Sequence, residues 1–361
     1  MATGSEGYSN RSENEGQGAW RCTFIDNSAY VCGGGLAING GGQCIGCSFT
    51  NNTTSGNGGG VYVETVNYTS QYTGTQRTTQ IKNCTFTGNN GVGSGFYAKS
   101  TAAGPMPVSN CVFRLNIGGN TAVLGDLKDC IFESNTNSTG VIRNSSMERC
   151  AVRNNAVRNR YATAIDYCDA DTPVQTNVNC LIESNCFLDE YGKLLSRKAY
   201  VNCTIVGNHM PNGGNYGYPS RDCAFWNCVL LGNKISSSTG RDVRTKTKEG
   251  TALAVVMTNC VFTTSDIASG SIGADGAVSY DGIDNCRQLA VAALKLTDAA
   301  NGDYTPTYRS PLYDAGLSDD WLLSLVGMLD RGGNVRIFGS GIDIGAYECQ
   351  RVPPGIVFCV R

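Results

Sequence analysis

The segment Asn83-Cys84-Thr85-Phe86-Thr87-Gly88-Asn89 decides the fold, because its pattern returns along the chain. In an extended strand, Cys84 and Phe86 share one side, while Thr85 and Thr87 share the other. Further copies, complete or with a changed first residue, occupy 110–116, 129–135, 149–155, 179–185, 202–208 and 227–233. Looser copies begin at Cys22, Cys47 and Cys260, and a degraded copy begins at Cys286. The chain is therefore a repeat protein.

One cysteine opens each copy and sets its register. The register cysteines are Cys22, Cys47, Cys84, Cys111, Cys130, Cys150, Cys180, Cys203, Cys228, Cys260 and Cys286. Their mean spacing is about 26 residues, although neighbouring copies lie as little as 19 residues apart. A fixed motif with variable spacing predicts a constant turn and strand, with loops that differ in length elsewhere in the repeat.

A second, glycine-rich element follows several copies. It reads Gly33–Ile38, Gly58–Val63 and Gly93–Ala98, each with a triplet of small residues before a short alternating strand. Each repeat thus offers two or three short strands separated by Gly and Asn turns, where left-handed backbone is tolerated. No repeat carries enough apolar surface to fold alone, whereas stacked coils bury a continuous core.

These observations predict an all-β protein, a right-handed single-stranded parallel β-helix (solenoid) of about eleven coils. We expect a polar N-terminal segment or partial coil over residues 1–19, the β-helix over 20–290 and a C-terminal capping segment over 291–361. The apolar residues between Trp321 and Val326 are expected to cover the open edge of the last coil, which would otherwise promote aggregation.

The composition excludes several classes of protein. Among 361 residues, 28 are Lys or Arg and 30 are Asp or Glu, and this balance argues against nucleic acid as a partner. No run of 18 apolar residues is present, so we expect no membrane insertion. The 18 cysteines suggest an oxidising compartment or a structural use of the thiol. No signal peptide is visible in Met1–Ala19.

The motifs also carry a family resemblance. Phe24–Asn27, followed by Gly33–Leu36, resembles the repeats of chlamydial polymorphic outer-membrane proteins. The ordered C-terminal segments are similar to the end of secreted, pectate-lyase-like β-helix repeat proteins of bacteria; they are Gly302–Tyr304, Ser310–Gly316, Asp330–Arg336 and Asp343–Glu348. The resemblance implies an extracellular or cell-surface location.

The register cysteines have two interpretations. They form a column of small buried side chains, one per coil, or they form disulfides. The pairs close enough in sequence to be disulfide candidates are Cys22/Cys32, Cys180/Cys186, Cys223/Cys228 and Cys349/Cys359. Cys44-x-x-Cys47 is the only CxxC segment, and without a second pair it argues against a zinc site.

One acidic cluster is a candidate catalytic and calcium site. Asp166, Asp169 and Asp171 lie close together in sequence, downstream of Arg153. If neighbouring coils bring these residues to one face, calcium held by the acids and an arginine base would suit a polysaccharide lyase. The alternative is that acidic loops between coils have no catalytic role. No other cofactor is indicated.

Basic residues upstream of that cluster form a candidate ligand-binding stripe. Arg143, Arg153, Arg158 and Arg160 would contact acidic polysaccharide through paired guanidinium hydrogen bonds. The alternative is a solvated face. A second set of acids, Asp314, Asp330, Asp343 and Glu348, either binds calcium or pairs with Arg331 and Arg336.

Three functions remain open from the sequence. The leading hypothesis is a secreted or cell-surface bacterial protein, adhesin-like or structural, that binds polysaccharide or host and cell-surface glycans. The second is a carbohydrate-active enzyme, a polysaccharide lyase or glycoside hydrolase, acting on acidic polysaccharide. The third is a subunit of a self-associating extracellular filament. The sequence shows no convincing set of catalytic acid and base residues. For this reason the binding protein is the leading hypothesis.

Overall fold

The structure is a computed structural model, and its description covers most of the repeat region and the C-terminal segment. The described residues are 18–39, 41–65, 67–69, 76–99, 105–158, 165–169, 173–188, 193–210, 218–234, 242–244, 255–266, 271–272, 278–279 and 282–351. The predicted residues Arg160 and Asp171 lie outside these ranges.

The chain winds as a parallel β-helix whose coils contribute strands to up to four sheets, here named A to D. Sheets A and B each contain eleven parallel strands, one per coil, which matches the eleven copies of the sequence motif. The coils are numbered 1 to 11 after the register cysteines. Every register cysteine stands immediately before its sheet B strand, at the corner between sheets A and B.

The strands of sheets A and B are two to four residues long. Sheet A contains Gly18–Trp20, Gln43–Ile45, Gln80–Lys82, Met106–Ser109, Gly125–Lys128, Ser146–Glu148, Gln175–Val178, Lys198–Val201, Cys223–Trp226, Val255–Thr258 and Ile283–Asp284. Sheet B contains Thr23–Ile25, Ser48–Thr50, Thr85–Thr87, Val112–Arg114, Ile131–Glu133, Ala151–Arg153, Leu181–Glu183, Thr204–Val206, Val229–Leu231, Val261–Phe262 and Arg287–Gln288.

Sheets C and D complete the coils. Sheet C contains Ser28–Ala29, Thr53–Asn57, Asn90–Val92, Ile117–Gly118, Thr136–Asn137, Ala156–Val157 and Cys186–Phe187. Sheet D contains Leu36–Asn39, Val61–Thr65, Phe96–Ala98, Ala122–Val123, Ile142–Arg143, Asp166–Tyr167, Lys193–Ser196 and Tyr218–Arg221. The sequence predicted two or three strands per repeat. The fourth is often only two residues long, too short to show alternation.

Smaller elements lie outside the four sheets. Three antiparallel pairs are Asn67–Thr69 with Gln76–Thr78, Ser271–Ile272 with Val278–Ser279, and Leu296–Asp298 with Asp303–Pro306. Val243–Arg244 pairs in parallel with Ser265–Asp266. Among the described residues, the helices are the 3-10 turns Val291–Leu294 and Ala299–Asn301 and the α-helix Asp320–Val326. Within the part of the chain that the structure describes, no helix is long and apolar enough to cross a membrane.

The corner between sheets A and B explains the first residue of the motif. The residue before each register cysteine has a φ between 50° and 66° in all eleven coils. That left-handed conformation favours Asn, Asp and Gly among common residues. Asn83, Asn110 and Asn179 are examples, while Gly46 serves the same purpose in coil 2.

The glycine-rich element has a different cause, close approach of neighbouring coils. Gly58 has a φ of 74°, as a turn into sheet D requires. Gly60, in contrast, does not have a positive φ. A Cβ atom there would lie 2.5 Å from the carbonyl oxygen of Gly95 and 2.7 Å from the ring of Phe86. Glycine at this position therefore lets the phenylalanine fill the core.

The core of the N-terminal half is a stack of aromatic rings. Phe24, Phe49, Phe86, Phe113 and Phe132 occupy the same position in coils 1 to 5. Successive ring centroids lie 4.6 to 4.9 Å apart, and the rings are nearly parallel. This spacing is that of neighbouring strands in a sheet. The alternation of the motif therefore places its apolar residue inside the coil, as these five phenylalanines show.

The last residue of the motif forms a buried asparagine ladder. Its members are Asn27, Asn52, Asn89, Asn116, Asn135, Asn155, Asn185, Asn208 and Asn233. In each step the backbone N–H and the side-chain Nδ2 donate to Oδ1 of the asparagine in the next coil, at 2.8 to 3.1 Å. The ladder ends on Asp242, whose Oδ1 accepts from Asn233 at 2.8 and 2.7 Å.

The register cysteines line a second, parallel column. Ten of the eleven are buried, and Cys22 in coil 1 is exposed. In several steps the N–H of one cysteine points at Sγ of the next, as from Cys84 to Cys111 and from Cys130 to Cys150, both at 3.4 Å. All seventeen described cysteines are free, so the first three candidate pairs are not joined; Cys359 lies outside the described residues.

This column predicts strongly selective thiol chemistry. Burial raises the pKa of Cys203 and of Cys228, and only a thiolate reacts with an alkylating reagent. We expect iodoacetamide to modify Cys22 in the native chain and to leave Cys203 and Cys228 unmodified. Peptide mapping by mass spectrometry gives the readout, and labelling in denaturant is the control. Disulfide-linked register peptides, or labelling of Cys228 before Cys22, would contradict the free buried column.

The C-terminal segment, residues 289–351, lies along the flank of the helix and is called the cap below. Leu294, Leu312 and Ile344 pack on the outward side of sheet B in one apolar cluster. The helix Asp320–Val326 packs on Val178 and Val201 of sheet A. We expected the apolar residues of this helix to cover the last coil, and they cover a side wall instead.

Corner asparagines hold the cap in place. Nδ2 of Asn179 donates to the carbonyl oxygen of Val326 at 2.7 Å, and Nδ2 of Asn259 donates to that of Ala315 at 2.8 Å. Nδ2 of Asn227 donates to Leu317 at 3.0 Å. The left-handed corner thus points the asparagine side chains outward. There they donate hydrogen bonds to backbone carbonyl oxygens of the cap, in place of water.

Candidate functional site

The predicted acidic cluster is divided between the interior and the surface. Asp166 is fully buried and points into the helix, where Lys198 Nζ lies 3.2 Å from its Oδ1. Asp169 is half-exposed. Its Oδ2 accepts from Arg143 at 2.8 and 3.0 Å and from Asn144 at 2.7 Å. Asp166 lies inside the helix with Lys198, whereas Asp169 lies at the surface with Arg143. The two acids therefore do not form one calcium site.

The predicted basic stripe is divided as well. Arg143 ends a strand of sheet D, and Arg153 ends a strand of sheet B. Arg158 is exposed beyond a strand of sheet C. The three described arginines therefore lie on three different sides of the coil, and they cannot together follow one bound chain.

A groove on the outside of sheet B does gather chemically active side chains. Its volume is about 780 Å³. One wall is the sheet B surface of coils 5 to 7, and the other is the cap. The polar lining residues are Glu133, Arg153, Asn154, Glu183, Ser184, Asn301, Tyr304, Arg331 and Tyr347.

The floor of the groove is a row of alternating charges. Glu133, Arg153 and Glu183 stand at matching positions in consecutive coils, because their strands pair in register. Arg153 Nε lies 3.0 Å from Glu133 Oε1, and Arg114 in coil 4 also contacts Glu133 at 2.6 Å. Strand spacing places the backbones of the two glutamates about 9 to 10 Å apart, on either side of the arginine.

The cap supplies the opposite wall. The Tyr304 hydroxyl donates to Glu183 Oε1 at 2.5 Å. Burial, and then this hydrogen bond, raise the pKa of the Tyr304 hydroxyl, so it stays protonated and acts as a donor. Arg331 belongs to the same wall, and its Nε is buried without a hydrogen-bond partner among the described residues. The cap therefore completes the groove and fixes the orientation of Glu183.

Sequence reasoning singled out Arg153 and missed its two glutamate neighbours. All three residues stand three positions after a register cysteine, following Cys130, Cys150 and Cys180. Alternation places that position outward in every coil. Reading the outward positions from coil to coil would have shown the charge row. The cap residues have no comparable signal, because their position depends on tertiary packing.

The second predicted acidic set forms a buried knot inside the cap. Asp330, Asp343, Glu348 and Arg336 are all fully buried. Arg336 Nη2 donates to the carbonyl oxygens of Asp343 and Gly345 at 2.8 Å, and its Nη1 lies 3.8 Å from Glu348 Oε2.

Backbone groups already satisfy the carboxylates of this knot. Asp343 accepts from the N–H groups of Asp314 and Cys349, both at 2.7 Å. Glu348 Oε2 accepts from the N–H of Asp343 at 3.1 Å. Carboxylate oxygens of Asp314, Asp343 and Glu348 lie within 4.8 Å of one another. Glu348 therefore serves as the ion-pair partner of Arg336, while Asp314 and Asp343 accept hydrogen bonds from backbone N–H groups of the cap turns.

Comparison with known proteins adds little to the geometry. No protein-family model matches the chain, and no curated protein matches it. Among solved structures, the chain is similar to a trypsin-treated variant of QnrB1, a plasmid-mediated fluoroquinolone resistance protein. The identity is 11% and the TM-score is 0.19, over 80% of this chain and 98% of the other. The class, a parallel β-helix repeat protein, therefore rests on the strand pairing described above.

Proposed function

We propose that this chain is a secreted or surface-displayed bacterial β-helix protein, adhesin-like in role, that binds a glycan in the groove between sheet B and the cap. The groove carries the proposal, because it combines tyrosine, arginine, carboxylate and amide side chains in one open channel. A sugar presents hydroxyls that both donate and accept, and this lining offers both kinds of partner. The motif resemblance to secreted bacterial β-helix repeat proteins supports the location.

The charge of the groove favours a neutral glycan. Glu133 and Glu183 balance Arg153 and Arg331, so the lining has no net formal charge. Glu133 already contacts two arginines, and Glu183 already accepts from Tyr304. An acidic polysaccharide would have to compete for those arginines. A neutral sugar chain would add hydrogen bonds without separating the pairs.

Binding to a panel of neutral and acidic glycans tests the proposal. We expect at least one neutral glycan to bind, and Arg153→Gln to weaken that binding by roughly tenfold, as expected when a charged hydrogen-bond partner is lost. Arg158→Gln is the matched control, because Arg158 is exposed outside the groove. No binding across the panel, or equal loss in both variants, would contradict the proposed site.

Hydrolysis is the second candidate function. Glu133 and Glu183 stand two strands apart on the groove floor, and inverting glycoside hydrolases place a pair of carboxyl groups about 6.5–9.5 Å apart on either side of the bond that they cleave. The same glycan panel should be followed for reducing ends. Product that disappears in both Glu133→Gln and Glu183→Gln would replace the binding protein by an enzyme at the same groove. Retained binding without product would leave the binding function alone.

A further inference from the structure

The interior of coils 6 to 8 contains a charged pair, Asp166 and Lys198, in a core that is otherwise mainly apolar over the residues that the structure describes. Asp166 belongs to sheet D in coil 6, and Lys198 begins the sheet A strand of coil 8. Both side chains have no exposed surface. Tyr200 and Asn177, also fully buried, are their neighbours. Two opposite charges in a dry core cost more free energy than their attraction returns unless the surroundings stabilise them well.

The contacts hold the amine against the carboxyl group. Lys198 Nζ lies 3.2 Å from Oδ1 of Asp166 and also donates to the carbonyl oxygen of Ser145. No hydrogen bond of ordinary geometry reaches that Oδ1 among the described residues. The amine is therefore held beside Oδ1, the oxygen bonded to the Cγ atom that the amine would attack.

The other carboxyl oxygen of Asp166, Oδ2, accepts hydrogen bonds from two side-chain donors. The Tyr200 hydroxyl donates to Oδ2 of Asp166 at 2.9 Å, and Asn177 Nδ2 donates to the same atom. Two fixed donors on one oxygen form the arrangement that stabilises negative charge in an acyl-transfer intermediate. Oδ1 faces the nucleophile and Oδ2 faces the donors, so the two oxygens have different roles.

From this geometry we infer that Lys198 and Asp166 join in an intramolecular amide bond during maturation of the fold. Within the dry pair, the ammonium first gives a proton to the carboxylate, which leaves a neutral amine and a carboxylic acid. Burial raises the pKa of Asp166, a shift in the direction that favours the acid form.

The bond change that follows is balanced without any further reactant. The Nζ lone pair attacks Cγ of Asp166, while Tyr200 and Asn177 stabilise the charge on Oδ2. The Cγ–Oδ1 bond then breaks, and that oxygen leaves as water with the acid proton and one proton from Nζ. The product is a secondary amide and one water molecule. Two buried charges disappear, and coil 6 is covalently tied to coil 8.

The intact mass of the purified full chain under denaturing conditions tests this inference. We expect it to be lower than the sequence mass by one water molecule. Proteolysis should release one branched peptide that contains both Asp166 and Lys198, with no tryptic cleavage after Lys198. An unshifted mass would overturn the inference. A mass lower by one water with Asp166 and Lys198 in separate linear peptides would also overturn it, because that result indicates a cyclic imide.

Two tyrosine variants test the role of the donors. Tyr200→Phe keeps the ring and removes the hydroxyl that faces Oδ2. We expect it to leave a large unlinked fraction in freshly purified protein. Tyr97→Phe is the control, because that ring stacks with Tyr62 away from the pair. Complete linkage in Tyr200→Phe would show that the tyrosine has no part in the reaction. Should this variant fail to fold, the mass of the unmodified chain still decides the inference.

Discussion

Replacing Asn135 with alanine is expected to destabilise the middle coils by at least about 3 kcal/mol, because buried polar groups left unpaired cost about 1–3 kcal/mol each. Asn135 Oδ1 accepts from the N–H and the Nδ2 of Asn116 at 3.0 Å, and its Nδ2 donates to the carbonyl oxygen of Phe113 at 3.0 Å. Alanine removes every one of these partners and supplies none. Since no solvent reaches Asn135, water cannot replace them.

Native-state hydrogen exchange measures the loss of stability coil by coil. A solenoid is stabilised by contacts between neighbouring coils, so the effect should be concentrated in coils 4 to 6. Ser138→Ala is the control, since Ser138 is exposed three residues away. Unchanged exchange in coils 4 to 6, or equal effects of the two substitutions, would show that the ladder does not hold the coils together.

Replacing Arg336 with methionine is expected to release the cap at alkaline pH. Arg336 is the basic group inside the knot of Asp330, Asp343 and Glu348, and it also donates to two carbonyl oxygens. Removing one partner of a buried ion pair typically costs about 3–5 kcal/mol, because the remaining charge stays uncompensated. The cap covers apolar surface of sheets A and B, so its release would expose that surface.

The same substitution should have a smaller effect at acidic pH. Burial raises the pKa of Asp343 to about 6 and that of Glu348 to about 8. Because these folded-state values exceed the ordinary ones, protonation favours the fold. The stabilisation is complete below the unfolded-state pKa values and is lost as the pH rises through 6 and 8. At pH 5, Arg336→Met should therefore retain much of the stability that it loses at pH 9.

Urea unfolding and limited proteolysis at pH 5 and pH 9 measure this difference. Arg309→Met is the matched control, because Arg309 lies in the cap outside the knot and stacks on Tyr308. We expect early proteolysis within residues 289–351 only in Arg336→Met, and mainly at pH 9. The same loss at both pH values would mean that the carboxyl groups of the knot are not the source of the instability.

The repeat itself was predictable, because each position of the motif has one physical task. Asn83 takes the left-handed corner, Cys84 and Phe86 fill the interior, and Asn89 enters the ladder. Such tasks recur in every coil, so they leave a periodic signal. Sheets C and D were harder to predict, since strands such as Ile142–Arg143 are too short to alternate.

The site was less predictable, because it depends on contacts between distant segments. Nearness in sequence suggested that Asp166 and Asp169 act together, yet Asp166 points inward and Asp169 pairs with Arg143 at the surface. The groove needs Tyr304 to meet Glu183, which lies 121 residues earlier in the chain. Outward apolar residues of sheet B, such as Leu231, are a sequence sign that another segment covers this flank.

The central claim is that the groove between sheet B and the cap is the binding surface, and a hydrogen-exchange footprint tests it most directly. The full chain would be compared with and without a saturating neutral oligosaccharide that binds in the glycan panel. We predict slower exchange at residues 300–304 and 331–332, and in the sheet B strands of coils 5 to 7. Protection confined to the surface near Arg143 and Asp169, with the groove unchanged at saturation, would contradict the claim.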